Sequence, residues 1–334
     1  MRFGLIGFSQ GFYARTYTRH LARLKEVEVV ACCDLGRSRD YVVECARVTA
    51  EEFTEELGCQ LVHSLDDLFA LNLDAVMVAS ELCEHAAHTE QALRAGCHVF
   101  VGKPVSFQPD EIRSLLNVAA ASGKTVLPGN PLRHDSTIEQ IAGQVMAGAI
   151  GDPTNIRIFI HHTAMLRQEW ERDPARSGGP LGTFGIYLID TLRWMTGQEL
   201  VDVYATGGNF VFPQIRSWDT VQAMGTTSGG ALAQFNLVST MNWDYPAIVM
   251  DLIGTKGIIR TGYDRHSFLL QNPDFAVGQL VNEQLGQKEI EHFVDCYYGR
   301  SKPCMTLEDM LPVAVGIEAI GQSIAQGIKI DLAR

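Results

Sequence analysis

Gly7-Phe8-Ser9-Gln10-Gly11-Phe12 closes a short apolar run, Phe3–Ile6, and opens an amphipathic stretch, Tyr13–Leu24. Glycines at a strand-to-helix turn let the backbone approach a pyrophosphate, whose charge suits the amide end of the helix that follows. Against the spacing G-x-G-x-x-G, Gly7 fills the first position, Ser9 stands at the second and Phe12 at the third, with Gly11 one place early. Ser9 must therefore keep its side chain aside or donate from its hydroxyl. The same residues also suit an ordinary turn. The next apolar run, Val27–Cys33, ends in Asp34, 22 residues after Phe12. A carboxylate there accepts both hydroxyls of an adenosine ribose and repels a 2′-phosphate, which favours NAD, whereas Arg37 and Arg39 just downstream would accommodate NADP. Asp34 equally suits the cap of the following turn. The expected cofactor contacts of this region are Gly7, Phe8, Ser9, Gln10, Asp34 and Arg39.

Other chemistries find less support. The eight cysteines, Cys32, Cys33, Cys45, Cys59, Cys83, Cys97, Cys296 and Cys304, show no C-x-x-C spacing and no zinc-finger pairing with histidine. They read as small buried hydrophobes. His161-His162 would face opposite sides of a strand, so no metal site is expected. A formal net charge of −12 with no basic block disfavours a nucleic-acid partner. No apolar run approaches the roughly 20 residues of a membrane helix, and Met1-Arg2-Phe3 leads straight into a strand, so a cytoplasmic protein without a membrane partner is expected.

The elements that must position these residues change character along the 334-residue chain, which is long enough for two domains. Strand-like runs at Phe3–Ile6, Val27–Cys33, Ala75–Ala79, His98–Val101 and Thr125–Leu127 alternate with helical patterns at Tyr13–Leu24, Glu84–Ala95 and Pro109–Ala121. That alternation predicts an α/β domain, a doubly wound parallel sheet of Rossmann type, over residues 1–128. After Pro128-Gly129-Asn130-Pro131 the alternation stops. A helix over Ser136–Met146 leads into strands at Asn155–His161, Val201–Thr206, Val221–Thr226, Ala231–Ser239, Ile248–Ile253 and Gly257–Thr261. Residues 129–334 are thus expected to form an α+β domain on a large open, mainly antiparallel sheet. Helices near Ile186–Met195, Glu283–Tyr298 and Leu307–Gln326 should cover one face of it.

The run Ala92-Leu93-Arg94-Ala95-Gly96, then His98–Val101, then Gly102-Lys103-Pro104 resembles the Gfo/Idh/MocA family of oxidoreductases, whose members typically carry Ala-Leu-x-Ala-Gly, a short strand and Glu-Lys-Pro. Asp74–Ser80 with His85, Arg133, Ser177-Gly178-Gly179, Gly185-Ile186-Tyr187-Leu188-Ile189-Asp190, Gly254-Thr255-Lys256-Gly257, Phe293-Val294-Asp295 and Ser301-Lys302-Pro303 resemble further family segments in the same order. The resemblance implies NAD or NADP as cofactor and a homodimer or homotetramer, with residues 129–334 bearing the substrate and oligomer contacts. It implies cofactor contacts at Ser80, His85, Lys103 and Arg133, and places Lys103 beside the reacting carbon. An ammonium group there would stabilise charge developing on the substrate oxygen.

Two departures from the family pattern bear on mechanism. Tyr187 stands where most members have a proton-transferring histidine, as in the branch similar to glucose–fructose oxidoreductase and dihydrodiol dehydrogenase. A phenol, with a reference pKa of about 10, needs a nearby cation to serve as a base, and Lys103 would be that cation. Asp190, one turn further along the helix, would bind substrate hydroxyls; alternatively it pairs with Arg193. Gly102 replaces the family glutamate and opens space beside Lys103. The polar stretch holding Trp170, Arg172 and Arg176 reads as a loop. The expected activity is hydride transfer between a nicotinamide and a secondary alcohol or hemiacetal carbon of a sugar, polyol or related small molecule. The alternative is a dinucleotide-binding regulator of the same fold, without turnover.

Overall fold

The computed structural model describes residues 1–163, 168–213, 216–241, 247–261, 267–271, 276–280 and 286–332. The first strands and helices are β1 (Arg2–Ile6), α1 (Thr18–Leu21), β2 (Glu28–Cys33), α2 (Arg39–Ala46), α3 (Ala50–Leu57), β3 (Gln60–Val62) and α4 (Leu65–Phe69). There follow β4 (Ala75–Val78), α5 (His85–Arg94), β5 (His98–Val101), α6 (Pro109–Ser122), β6 (Val126–Pro128) and α7 (Ser136–Met146). Next come β7 (Pro153–Thr163), α8 (Glu169–Arg172), α9 (Pro174–Ser177), α10 (Gly179–Thr196), β8 (Leu200–Gly208), β9 (Thr220–Thr227) and β10 (Leu232–Met241). The chain ends with β11 (Ala247–Gly254), β12 (Ile258–Thr261), β13 (Ser267–Gln271), β14 (Ala276–Leu280), α11 (Gln287–Tyr297), α12 (Leu307–Gln326) and β15 (Ile330–Asp331).

The chain divides into two compact units. The first comprises residues 1–131, 167–170 and 285–311, the second 132–166, 171–284 and 312–334. In the first, six strands run in the order β3-β2-β1-β4-β5-β6, every neighbouring pair parallel. The order reverses between β1 and β4, and a crevice at the carboxyl ends of strands on either side of such a reversal is where open α/β sheets bind ligands. β4 is apolar and buried throughout, and β1, β2 and β5 are buried after their first residues, as strands covered on both faces are. Phe3 and Leu5 of β1, Met77 of β4 and Phe100 of β5 share one core with Tyr17.

That core also takes Ile290, Phe293 and Val294 of α11. The helix expected on the second sheet therefore belongs to the first unit. Its apolar residues, at i, i+3 and i+4, form one stripe that is buried there. The helix expected over Tyr13–Leu24 starts instead as a π-helical turn over Tyr13–Tyr17 before α1 begins.

In the second unit nine strands run in the order β14-β13-β12-β11-β7-β10-β9-β8-β15. All pairs are antiparallel except β7 with β10. A parallel pair needs a long crossover, and the chain between these two strands supplies one through α8, α9, α10, β8 and β9. From Asn155 to Ile160 along β7 the alternation is clean: Ile156, Ile158 and Ile160 are at most 1% exposed. Helix α10 is nearly apolar all round and is buried over most of its length. Gly185 lets it approach α12, since a Cβ there would meet Ile317 Cγ1 at 2.8 Å. The stretch read as a loop around Trp170, Arg172 and Arg176 holds the short helices α8 and α9, the second capped by Asp173.

Candidate active site

The glycine turn of the first unit is anchored on both sides of the strand reversal. Gly7 donates its N–H to Cys33 O at 2.9 Å, and Gln10 donates to Ala79 O at 2.9 Å. Gly7 has φ +82°, and a Cβ on it would lie 2.8 Å from Ser80 Cα, so two independent constraints demand glycine. Gly11 answers a different need, because a Cβ there would overlap Cys45 O at the end of α2. Ser9 keeps its side chain aside: its hydroxyl pairs with the Tyr41 hydroxyl at 3.0 Å, and Tyr41 donates to Glu81 Oε1 at 2.7 Å. Phe8 is buried against Phe53, edge to face, and so supports the turn from below.

Asp34 leaves the end of β2 with its carboxylate accepting the Gly36 N–H at 2.9 Å. His63 Nδ1 lies 2.9 and 3.0 Å from the two carboxylate oxygens, and the carboxylate raises the imidazole pKa. A carboxylate offers about four acceptor positions, so room remains for ribose hydroxyls. Arg37 is engaged with Glu84 at 2.6 Å and lies over the Tyr41 ring. Arg39 is exposed at the start of α2.

Lys103 follows β5 and is joined to Pro104 by a cis peptide bond. It is 9% exposed, and burial pushes its pKa down to about 7. The space expected beside Gly102 is taken: a Cβ on Gly102 would overlap Gln10 Oε1, and Gln10 Nε2 donates to Lys103 O at 3.1 Å. Ser80 and His85, expected at the cofactor, are both fully enclosed. His85 places Nδ1 2.9 Å from Pro104 O and Nε2 3.1 Å from Ser80 O, tying together the segments after β4 and β5. Burial pushes its pKa down to about 4.

In the second unit, Tyr187 is half-buried on α10. Its ring stacks with Phe184 at 6.4 Å between centroids, and Phe184 stacks with His162 at 4.1 Å. Asp190 is 1% exposed and forms a two-pronged pair with Arg133, Nε to Oδ2 at 2.9 Å and Nη2 to Oδ1 at 2.6 Å. Two residues assigned to different ligands thus hold each other. The guanidinium also lies 5.6 Å from the Trp194 ring centre. Arg193, the alternative partner of Asp190, pairs with Glu199 instead. Two loop runs of the second half suit a role in substrate specificity, 165–172 and 243–245; of these, 243–245 lie outside the described residues, as do 165–167.

Sequence reading alone missed the supporting residues. Tyr41, Glu81, His63 and the aromatic stack on Tyr187 follow no local motif. Gln10 was expected at the turn, but its place over Gly102 was not read, although a glycine in place of a large family residue asks what fills the gap.

The cradle fits a dinucleotide on observations of its own. The left-handed Gly7 lets backbone come close where a side chain could not, Asp34 sits at the end of β2, and a buried acceptor, Gln10 Oε1, lacks a hydrogen-bond partner among the described residues. Fold and turn together define an NAD-binding oxidoreductase of the two-domain type. Residues 1–130 match the family model described as an oxidoreductase family with an NAD-binding Rossmann fold, and residues 138–260 match the GFO/IDH/MocA C-terminal domain. The chain belongs to the GFO/IDH/MocA family. It is 27% identical over 341 residues to the uncharacterised oxidoreductase YrbE of Bacillus subtilis, covering 98% of this chain and 96% of that one. It is 23% identical to inositol 2-dehydrogenase of Rhizobium meliloti, covering 78% and 74%. An Agrobacterium radiobacter oxidoreductase, solved with NAD+, L-tartaric acid and magnesium, superposes with a TM-score of 0.85 at 18% identity, covering 99% and 98%. Among the described residues no group of three or more His, Cys, Asp or Glu is arranged to hold a metal, and no helix is long and apolar enough to cross a membrane.

Proposed function

We propose that the protein moves a hydride reversibly between NAD and the carbon bearing a secondary or hemiacetal hydroxyl on a cyclic sugar, polyol or related small molecule. The observation that carries this reading is Lys103, an enclosed lysine at the end of β5 and on the opposite side of the strand reversal from Asp34. Bound NAD supplies the hydride acceptor or donor. Lys103 holds the reacting oxygen and exchanges a proton with it, which an amine titrating near neutrality does in both directions. Only one proton moves with each hydride, and Tyr187, held in orientation by Phe184 and His162, is the other group that can give or take it. Asp190 fixes the Arg133 guanidinium, and the pair orients substrate hydroxyls.

Gly7, Phe8, Ser9 and Gln10 form the turn against the pyrophosphate, with Asp34 on the adenosine ribose. Ser80 and His85 act as positioning residues. Two features favour NAD over NADP: the Asp34 carboxylate repels a 2′-phosphate, and Arg37 is committed to Glu84. Arg39 remains the residue through which NADP would enter. The sugar or polyol class follows the relative named as an inositol dehydrogenase. A homodimer or homotetramer is proposed from the apolar side chains exposed on the second sheet.

A panel of sugars, inositols and diols, read by NADH absorbance with NAD and NADP in parallel, tests the reading. With the active substrate, Lys103→Met and Tyr187→Phe should each lower kcat by about 100-fold or more, while NADH still binds. Unchanged turnover in both variants would remove the assigned roles.

A further inference from the structure

Gln10 and Gly102 lie 92 positions apart, yet each explains the other. The Gln10 amide stretches from the glycine turn across the end of β5 and lies where a side chain at position 102 would begin. Its orientation is fixed, because Lys103 O can only accept a hydrogen bond and so faces Nε2, at 3.1 Å. Oε1 is then left over Gly102, buried and without a partner among the described residues. A buried carbonyl oxygen left unpaired costs about 1–3 kcal/mol, so a donor is missing. The strand order says where that donor comes from. A dinucleotide lies across the reversal between β1 and β4, adenosine toward Asp34 on β2 and nicotinamide toward β4 and β5.

We propose that Gln10 Oε1 accepts a hydrogen bond from the nicotinamide half of the cofactor, a ribose hydroxyl or the carboxamide N–H, and that Gly102 is glycine to leave room for this contact. Gln10 is on this reading a cofactor-positioning residue rather than only part of the pyrophosphate turn. The inference rests on NAD binding by the first unit and is independent of the roles given to Lys103 and Tyr187.

The test is binding, measured for ADP, ADP-ribose and NADH on the whole protein. Gln10→Met keeps the length of the side chain and removes the acceptor. It should weaken NADH about three- to tenfold, the worth of one hydrogen bond, and leave ADP unchanged. A loss already seen with ADP-ribose assigns the ribose hydroxyl, and a loss seen only with NADH assigns the carboxamide. Gly102→Ala, which displaces the amide, should give the same pattern. The two changes combined should cost no more than either alone, because they remove one contact. NADH affinity unchanged in Gln10→Met, equal losses for ADP and NADH, or additive losses in the double variant would each overturn the proposal. If Gly102→Ala does not fold, Gln10→Met alone decides. Failure of the unaltered protein to bind NADH or ADP would instead overturn the NAD reading, and this one with it.

Discussion

An ammonium group enclosed as Lys103 is sheds its proton more readily than one in water, because burial penalises the charged form. With its pKa pushed down to about 7, Lys103 is largely charged at pH 6 and largely neutral at pH 8. Only the neutral amine accepts a proton from a substrate hydroxyl. In the direction of alcohol oxidation, kcat/KM should therefore rise with pH and level off above about 7, and Lys103→Arg, which stays charged, should remove that limb along with most of the rate. A profile of the unaltered protein that is flat between about pH 6 and pH 8.5 would exclude Lys103 from proton transfer. At this scale the sequence was readable wherever a residue type announces itself. Asp34 after an apolar run and Lys103 before a proline both stand at strand ends. What could not be read was the company each residue keeps, such as Asp190 with Arg133, or His63 with Asp34.

Helix α11 shows the same limit for elements. Its amphipathic pattern was plain, but the surface it packs on was not, because an apolar stripe does not name its partner. The docking is fastened by Glu289, which is 1% exposed and accepts from the Tyr17 hydroxyl and, at 2.5 Å, from the Asn130 N–H. Burial outweighs those two bonds and pushes its pKa up to about 7. In the unfolded chain this carboxyl ionises near the ordinary glutamate value of about 4.3, so between there and about 7 only the unfolded state releases the proton. Folding stability from this group is therefore largest at acid pH and declines as pH rises toward 7. Glu289→Gln has no proton to lose, so its stability relative to the unaltered protein should increase between pH 5 and pH 8 in denaturant melts. A constant difference across that range would show that Glu289 does not titrate on unfolding. Elements escaped sequence reading for equally physical reasons. β3 is a three-residue strand with no buried face, and the first turns of α10 hold Gly179, Pro180, Gly182 and Gly185, residues of low helix propensity that hide its pattern; at Gly179 and Gly185 a Cβ would meet Ser217 and Ile317.

For the whole molecule, the period of the apolar pattern changes near residue 130, where the first run of the first compact unit ends, but the return of 285–311 to that unit was not legible, since it depends on contacts distant in sequence. The second sheet poses the remaining question of what covers it. Tyr204 on β8 lies opposite Met224 on β9, which lies opposite Gln234 on β10, and Leu232 is two residues from Gln234 on the same strand. By the two-residue period of a strand these side chains share a face, and Tyr204, Met224 and Leu232 are 44%, 61% and 60% exposed. Neighbouring large apolar side chains on an open sheet mark an interaction surface more often than solvent-facing structure. A second copy of the chain, placed with the same face against itself, would bury them without requiring a different partner. Met224→Lys sets two ammonium groups into such an interface and should shift the protein to a monomer in sedimentation or light scattering, with its far-UV circular dichroism unchanged. An unaltered protein that is monomeric at micromolar concentration, or a Met224→Lys variant with the same mass in solution as its parent, would rule this face out as the contact.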